Sequence, residues 1–242
     1  MDLKAVAKVD LHRHLEGAVR LSTMLDLYRG SGQPLPETTP AELSARAQVL
    51  QPMGSLEKVL SRFTLAQGAF FDEAACQRIA FEAVEDLAAD NVRLAELRFS
   101  PEFLCETHGL DWDAAMAAIV RGVEHGSREF DVTVGLIAIA SRNYGIDSAE
   151  RTMAFALRHR DHLVAFDLAG DEQAYPPSLY VDVVGELEGS GLKLTTHYGE
   201  SGGPAFPREA VEVLGSLRLG HGVSLSPEPA SSATTSTYSD GG

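Results

Sequence analysis

The chain has 242 residues, 44% of them hydrophobic and 23% charged, which is enough material for one large folded core. Its formal net charge of −15 argues against nucleic acid or an anionic membrane as partner, because both need basic surface to neutralise phosphate. Two cysteines, Cys76 and Cys105, are too few for a disulfide scaffold. No apolar run reaches the roughly 20 residues that span a bilayer, and Met1 to Lys8 lack the apolar core of a signal peptide, so the expectation is a soluble cytoplasmic protein.

Val9 to Leu15 predicts a first strand in which side-chain alternation puts His12 and His14 on one face and Leu11, Arg13 and Leu15 on the other. Two imidazoles so placed can grip one metal ion, although the same spacing also arises in half-exposed histidines with no such role. Ser22 to Gly30 reads as a helix with Ser22 or Thr23 as N-cap. Ser31 to Pro52 is an excursion rich in breakers, with a short helical patch at Ala41 to Val49. Helices at Ser55 to Phe70 and Asp72 to Asp90 follow, the second carrying Ile79, Ala83 and Leu87 on one stripe.

Val92 to Ser100 predicts a strand that Pro101 closes, with Cys105 in the loop beyond it. Asp111 to Phe130 predicts a helix with Met116, Ile119, Val120 and Val123 inward. Val132 to Ala140 is an almost unbroken apolar run, the pattern of a parallel strand covered on both faces. A helix begins at Asp147 with a capping box to Glu150, and Leu163 to Gly170 is the next strand. A helix at Ser178 to Glu188, a strand at Leu192 to His197, a helix at Arg208 to Leu217 with Pro207 as first residue, and a strand at Arg218 to Val223 complete the order.

Six strands beginning near residues 9, 92, 132, 163, 192 and 218, separated by helices, predict right-handed βαβ units and a parallel sheet. His12, His14, Glu16, Asp167, Gly170, His197, Glu200 and His221 all fall at or just past the carboxyl ends of those strands, where (β/α)₈ barrels carry their active sites. A doubly wound sheet would call for a glycine-rich first turn, and only Gly17 follows the first strand. Three histidines on strand ends are the donor type that holds catalytic Zn²⁺. The glycines beside His221 permit close approach of backbone or ligand.

The strings VDLHRHLEG, AELRFSPEF, VAFDLAGDE, LTTHYGE and RLGHG, in this order, resemble the adenosine deaminase family of metal-dependent hydrolases, from about residue 8 to about residue 226. The resemblance implies a zinc cofactor held by His12, His14 and His197, with Glu200 as the acid that protonates N1 of a purine nucleoside. It implies that His221 orients or deprotonates the attacking water, and that His14, Glu16 and Gly170 contact the substrate. It also implies that Leu56, Leu60 and Phe63 belong to a lid helix, a stretch that ordinary core packing explains equally well.

Two departures qualify the expectation. Position 16 is Glu, where animal adenosine deaminases carry Asp, whereas relatives acting on adenine or modified nucleosides use Glu. After Ser226 the chain passes into Pro227-Glu228-Pro229-Ala230 and a Ser/Thr/Ala stretch without apolar periodicity, in place of two further strands and the paired aspartates that would supply a fourth zinc ligand. The expectation is therefore a partial barrel over residues 1–226 with six of eight strands, a disordered tail over 227–242, and a deaminase or an inactive, truncated or frame-shifted version of one.

Overall fold

The computed structural model describes residues 3–35, 37 and 39–225, apart from the side chain of Leu56. The expected tail, 227–242, lies outside the described residues. Among them six strands follow chain order in one sheet: β1 (Lys8–His14), β2 (Val92–Phe99), β3 (Thr133–Ser141), β4 (Leu163–Ala169), β5 (Lys193–Thr196) and β6 (Arg218–Leu219). The pairs β1 with β2, β4 with β5 and β5 with β6 are parallel, so the fold class is that of an incomplete (β/α)₈ barrel, as the alternation of elements predicts. The chain divides into two compact units, residues 1–136 and 137–242, with the boundary inside β3.

In the first unit β1 leads to α1 (Leu21–Ser31), α2 (Pro40–Ala47), α3 (Leu56–Gln67) and α4 (Glu73–Ala89), and β2 to α5 (Pro101–Cys105) and α6 (Trp112–Phe130). The α4 stripe is as predicted: Ile79, Ala83 and Leu87 are all buried. It packs against α6 at very short range, because a Cβ on Gly122 would stand 2.3 Å from the Gln77 carbonyl oxygen and one on Gly126 would stand 2.8 Å from Val84 Cβ. Met116, Ile119 and Val123 of α6 are buried, whereas Val120 is half-buried.

Three local expectations change. The N-cap of α1 is Arg20 with no side-chain cap, because Thr23 donates its hydroxyl to Glu82 across the helix pair and Arg20 binds Glu85 and Asp86. Pro40 opens α2 as its first residue behind a Thr39–Glu42 capping box. Cys105 ends α5, a short helix capped by Ser100, and does not sit in a loop.

In the second unit β3 runs to α7 (Ile146–Arg158), β4 to α8 (Val181–Gly185), β5 to α9 (Ala205–Glu212), and β6 follows. The Asp147–Glu150 capping box is absent, since Gly145 occupies the N-cap of α7 with φ 83°, a conformation natural to glycine, and Asp147 lies within the first turn. The predicted helix at Ser178–Glu188 is a 3₁₀ turn over Pro177–Tyr180 followed by α8, with Pro177 opening the turn. Pro207 is the third residue of α9, not the first, and α9 ends at Glu212, short of the predicted Leu217.

Candidate active site

In the first unit, β1 carries a bulge, with Asp10 paired to Ala95 and Arg13 to Leu97, so one extra residue enters the strand at Leu11–His12. The bulge takes the His12 N–H out of the regular ladder, and the Asp10 carboxylate accepts it at 3.1 Å while also holding Arg13 at 2.8 Å. The predicted shared face survives: His12 and His14 bring their Nε2 atoms to 3.3 Å. Two ligands bound at 2.0–2.1 Å to one tetrahedral ion lie about 3.3–3.4 Å apart, so this nitrogen pair fits a zinc centre.

Glu16 follows on a turn of 3₁₀ helix, 3% exposed, accepting the Ser100 N–H on Oε1 at 2.8 Å. Its Oε2 has no hydrogen-bond partner among the described residues. Burial raises the Glu16 pKa to about 7 against the lowering effect of the Ser100 N–H. A buried carboxyl oxygen of this kind asks for a donor from a ligand. Glu16, Gly17, Met24 and Phe63 border a cavity of about 490 Å³, within the range of small-molecule sites. Phe63 of α3 presses on Gly17, 3.1 Å from where a Cβ would stand, and its ring lies edge-on to His14 at 6.4 Å. Leu60, expected beside it, is 41% exposed, and the side chain of Leu56 lies outside the described residues.

In the second unit, His197 follows β5 and is buried, its Nδ1 held by the two carboxylate oxygens of fully buried Asp167 at 3.0 and 3.1 Å. An ionised carboxylate only accepts, so Nδ1 carries the proton and the lone pair stands on Nε2, the tautomer a metal requires. The His221 ring lies 5.1 Å from the His197 ring, with its Nε2 3.5 Å from Glu200 Oε2. Burial raises the Glu200 pKa above the ordinary carboxylate value, partly offset by His197.

Of the two glycines beside His221, Gly222 is approached closely by backbone: Gly199 has φ 77°, and a Cβ there would stand 2.8 Å from the Gly222 Cα, so the loops after β5 and β6 touch through bare backbone. Gly170 has φ 107°, and a Cβ there would stand 2.2 Å from Asn143 Oδ1. The second unit thus brings His197, Glu200 and His221 together, with Gly170 on the adjoining loop after β4.

Three side chains with a part in this arrangement carried no assigned role in the sequence reading. Asp167 was visible only as an acid near a strand end. Arg142 and Glu172 are fully buried charges, and their signals are an Arg ending an apolar strand and an acid following Gly170-Asp171.

Residues 7–231 match the adenosine deaminase family profile. The adenosine deaminase of Klebsiella pneumoniae (strain 342) is 38% identical over 221 residues, covering 91% of this chain and 66% of that enzyme. The chain therefore spans just under two thirds of the length of this relative. Among solved structures, an adenine deaminase from Arthrobacter aurescens superposes with a TM-score of 0.81 at 24% identity, over 89% of this chain and 64% of that one, a likeness of fold. An amidohydrolase from Burkholderia ambifaria, solved with bound Zn, superposes with a TM-score of 0.79 at 28% identity, over 91% of this chain and 60% of that one.

Proposed function

The chain belongs to the adenosine deaminase family, and from that premise we propose that it is a zinc-dependent hydrolase that converts adenosine or deoxyadenosine and water to inosine or deoxyinosine and ammonia. The observation that carries the reading is the Asp167-oriented His197 beside His221 and Glu200, on the loops where the family motifs fall. His12, His14 and His197 are the proposed zinc ligands, and the 3.3 Å nitrogen pair of the first unit and the Nε2 tautomer of His197 both suit that role.

Zinc, when bound, supplies a hydroxide nucleophile at neutral pH. Glu200, whose carboxyl pKa is raised above the ordinary value by desolvation, delivers its proton to N1 of the purine as the nucleophile adds at C6, so that charge does not build on the ring. His221 accepts the proton given up by the attacking water and steers it. Gly170 offers its backbone N–H to a ring nitrogen. Glu16 offers its unpartnered Oε2 to the substrate, and Phe63 covers the apolar ring face.

A second reading, a deaminase of adenine or a modified purine nucleoside, is favoured by Glu at position 16, a longer reach than the Asp of the animal enzymes. Zinc content per purified chain, followed by adenosine, deoxyadenosine and adenine absorbance, tests both. About one zinc with turnover of the nucleosides supports the first reading, turnover of adenine alone supports the second, and a metal-free, silent protein overturns both and leaves a catalytically inactive fragment.

A further inference from the structure

Two opposite charges that the proposed chemistry does not use are buried on either side of the segment that carries His197 and Glu200. Arg142, 0% exposed, follows β3 and donates from Nη2 to the carbonyl of Gly170 at 2.6 Å and to the carbonyl of His197 at 2.7 Å. Its guanidinium also stacks on the Tyr198 ring at 4.2 Å. Glu172, 1% exposed, lies on the loop after β4. It accepts the Gly199 N–H on Oε2 and the Ser201 and Gly202 N–H groups on Oε1, each at 2.6 Å, with the Ser201 hydroxyl at 3.3 Å. A Cβ on Gly202 would stand 3.0 Å from the Glu172 carboxyl carbon, so the loop closes onto the carboxylate.

Burying an arginine and a glutamate costs several kcal/mol per ion unless each is fully engaged. Here Glu172 is engaged by the amides of one short segment, whereas Arg142 is hydrogen-bonded through Nη2 alone, shared between the His197 carbonyl of that segment and the Gly170 carbonyl on the loop after β4, its buried Nε and Nη1 having no hydrogen-bond partner among the described residues. The arginine takes the carbonyl at its start, and the glutamate takes the amides around and beyond Glu200. A loop of Gly-Glu-Ser-Gly-Gly has no side-chain packing of its own to fix it. Hydrogen bonds hold it instead: these charge-assisted ones, about twice as strong as neutral ones, beside neutral bonds donated by the Gly222 N–H to the Tyr198 carbonyl, the Ser224 N–H to the Gly199 carbonyl and Gln173 Nε2 to the Ser201 carbonyl.

We propose that Arg142 and Glu172 are positioning residues, a buried clamp that holds the His197–Gly202 segment so that the imidazole of His197 and the carboxyl of Glu200 keep their working places. What the segment does once held rests on the deaminase reading. That it is held by this clamp does not.

The test is hydrogen exchange by mass spectrometry on the full chain and its Glu172→Gln variant, with zinc content and adenosine kinetics on the same samples. Gln keeps the volume but turns an N–H₂ toward amide donors. Peptides covering 198–203 should exchange at least about tenfold faster in the variant, with β4 peptides unchanged, because the bonds that protect these amides are gone. Zinc affinity and kcat should fall about tenfold while KM moves less than about threefold, a split that a general loss of fold would not produce. Unchanged exchange overturns the clamp whatever the activity. A loosened loop with unchanged kcat and zinc affinity in an active protein overturns the positioning role. A loosened loop in a chain whose wild type is silent and metal-free supports the clamp and sinks the deaminase reading. Should Glu172→Gln fail to fold, Arg142→Lys, which keeps the charge but loses the planar fork, should release the His197 carbonyl and lower zinc affinity and kcat about tenfold with the 199–202 amides still held by Glu172; unchanged zinc affinity and kcat in an active protein would overturn the positioning role.

Discussion

Replacing Asp167 by Asn tests whether His197 is a tuned metal ligand or simply a buried core histidine. Asp167 is 0% exposed, so water cannot replace it, and both of its carboxylate oxygens lie within 3.1 Å of His197 Nδ1. A hydrogen bond to a charged, buried acceptor contributes about 1.5–3 kcal/mol, and at about 1.4 kcal/mol per decade this becomes roughly a 10- to 100-fold change in metal affinity. Asn keeps the shape and one acceptor, but its N–H₂ can drive the histidine proton to Nε2, where a ligand lone pair is needed.

Competition with a chromophoric chelator reads the zinc affinity, and a urea titration of metal-free protein reads the fold. The expected result is a 10- to 100-fold weaker zinc site, with metal-free stability changed by less than about 1 kcal/mol, since the substitution also relieves a buried charge. Zinc affinity within threefold of wild type, or a wild type that takes no zinc, refutes the reasoning. An equal loss in both assays assigns the Asp167–His197 bond to the fold alone.

Glu16→Gln should flatten a pH dependence of stability measured on chelator-treated protein. The folded pKa of about 7 lies above the unfolded value of 4.5, so the native state binds the extra proton between these values, and wild-type stability relative to the variant falls by roughly 3 kcal/mol as pH rises from 4.5 to 7. Parallel urea midpoints for the two proteins across that window would remove the buried-carboxyl argument. Gly30→Ala, where nothing lies within 4 Å of the new Cβ, should gain about 0.5–1 kcal/mol in helix α1, whereas Gly122→Ala, 2.3 Å from the Gln77 carbonyl, should lose at least about 1–3 kcal/mol despite the same gain in propensity. Thermal melts of the pair check the sign reversal. Phe63→Ala should raise KM for adenosine about tenfold with a smaller effect on kcat, as removal of an apolar cover would; an unchanged KM in steady-state assays would show that α3 only packs.

Periodicity carried most of the fold because burial demands it. The α4 stripe, the unbroken run of β3 and the order of six strands were all legible, since each depends on spacing along one element. The local errors have more than one cause. Thr23, Asp147 and Pro207 each carry the right chemistry for a helix start, yet the start is decided by partners far along the chain, such as Glu82 for Thr23, or by a glycine able to adopt φ 83° at Gly145. Propensity weighs one residue at a time, and so misses both a distant partner such as Glu82 and a neighbouring glycine such as Gly145.

The sequence by itself determined the family and the placing of histidines at strand ends, because motif order and residue spacing are properties of the chain alone. Only the tertiary structure decided that β1 is bulged beside His12, that Glu16 is buried with one oxygen unpartnered, and that Asp167 sets the tautomer of His197. It alone revealed the Arg142–Glu172 clamp, whose bonds run from side chain to backbone across 27 to 55 residues. Side-chain-to-backbone bonds leave almost no sequence signature, since any residue supplies the carbonyl or the amide.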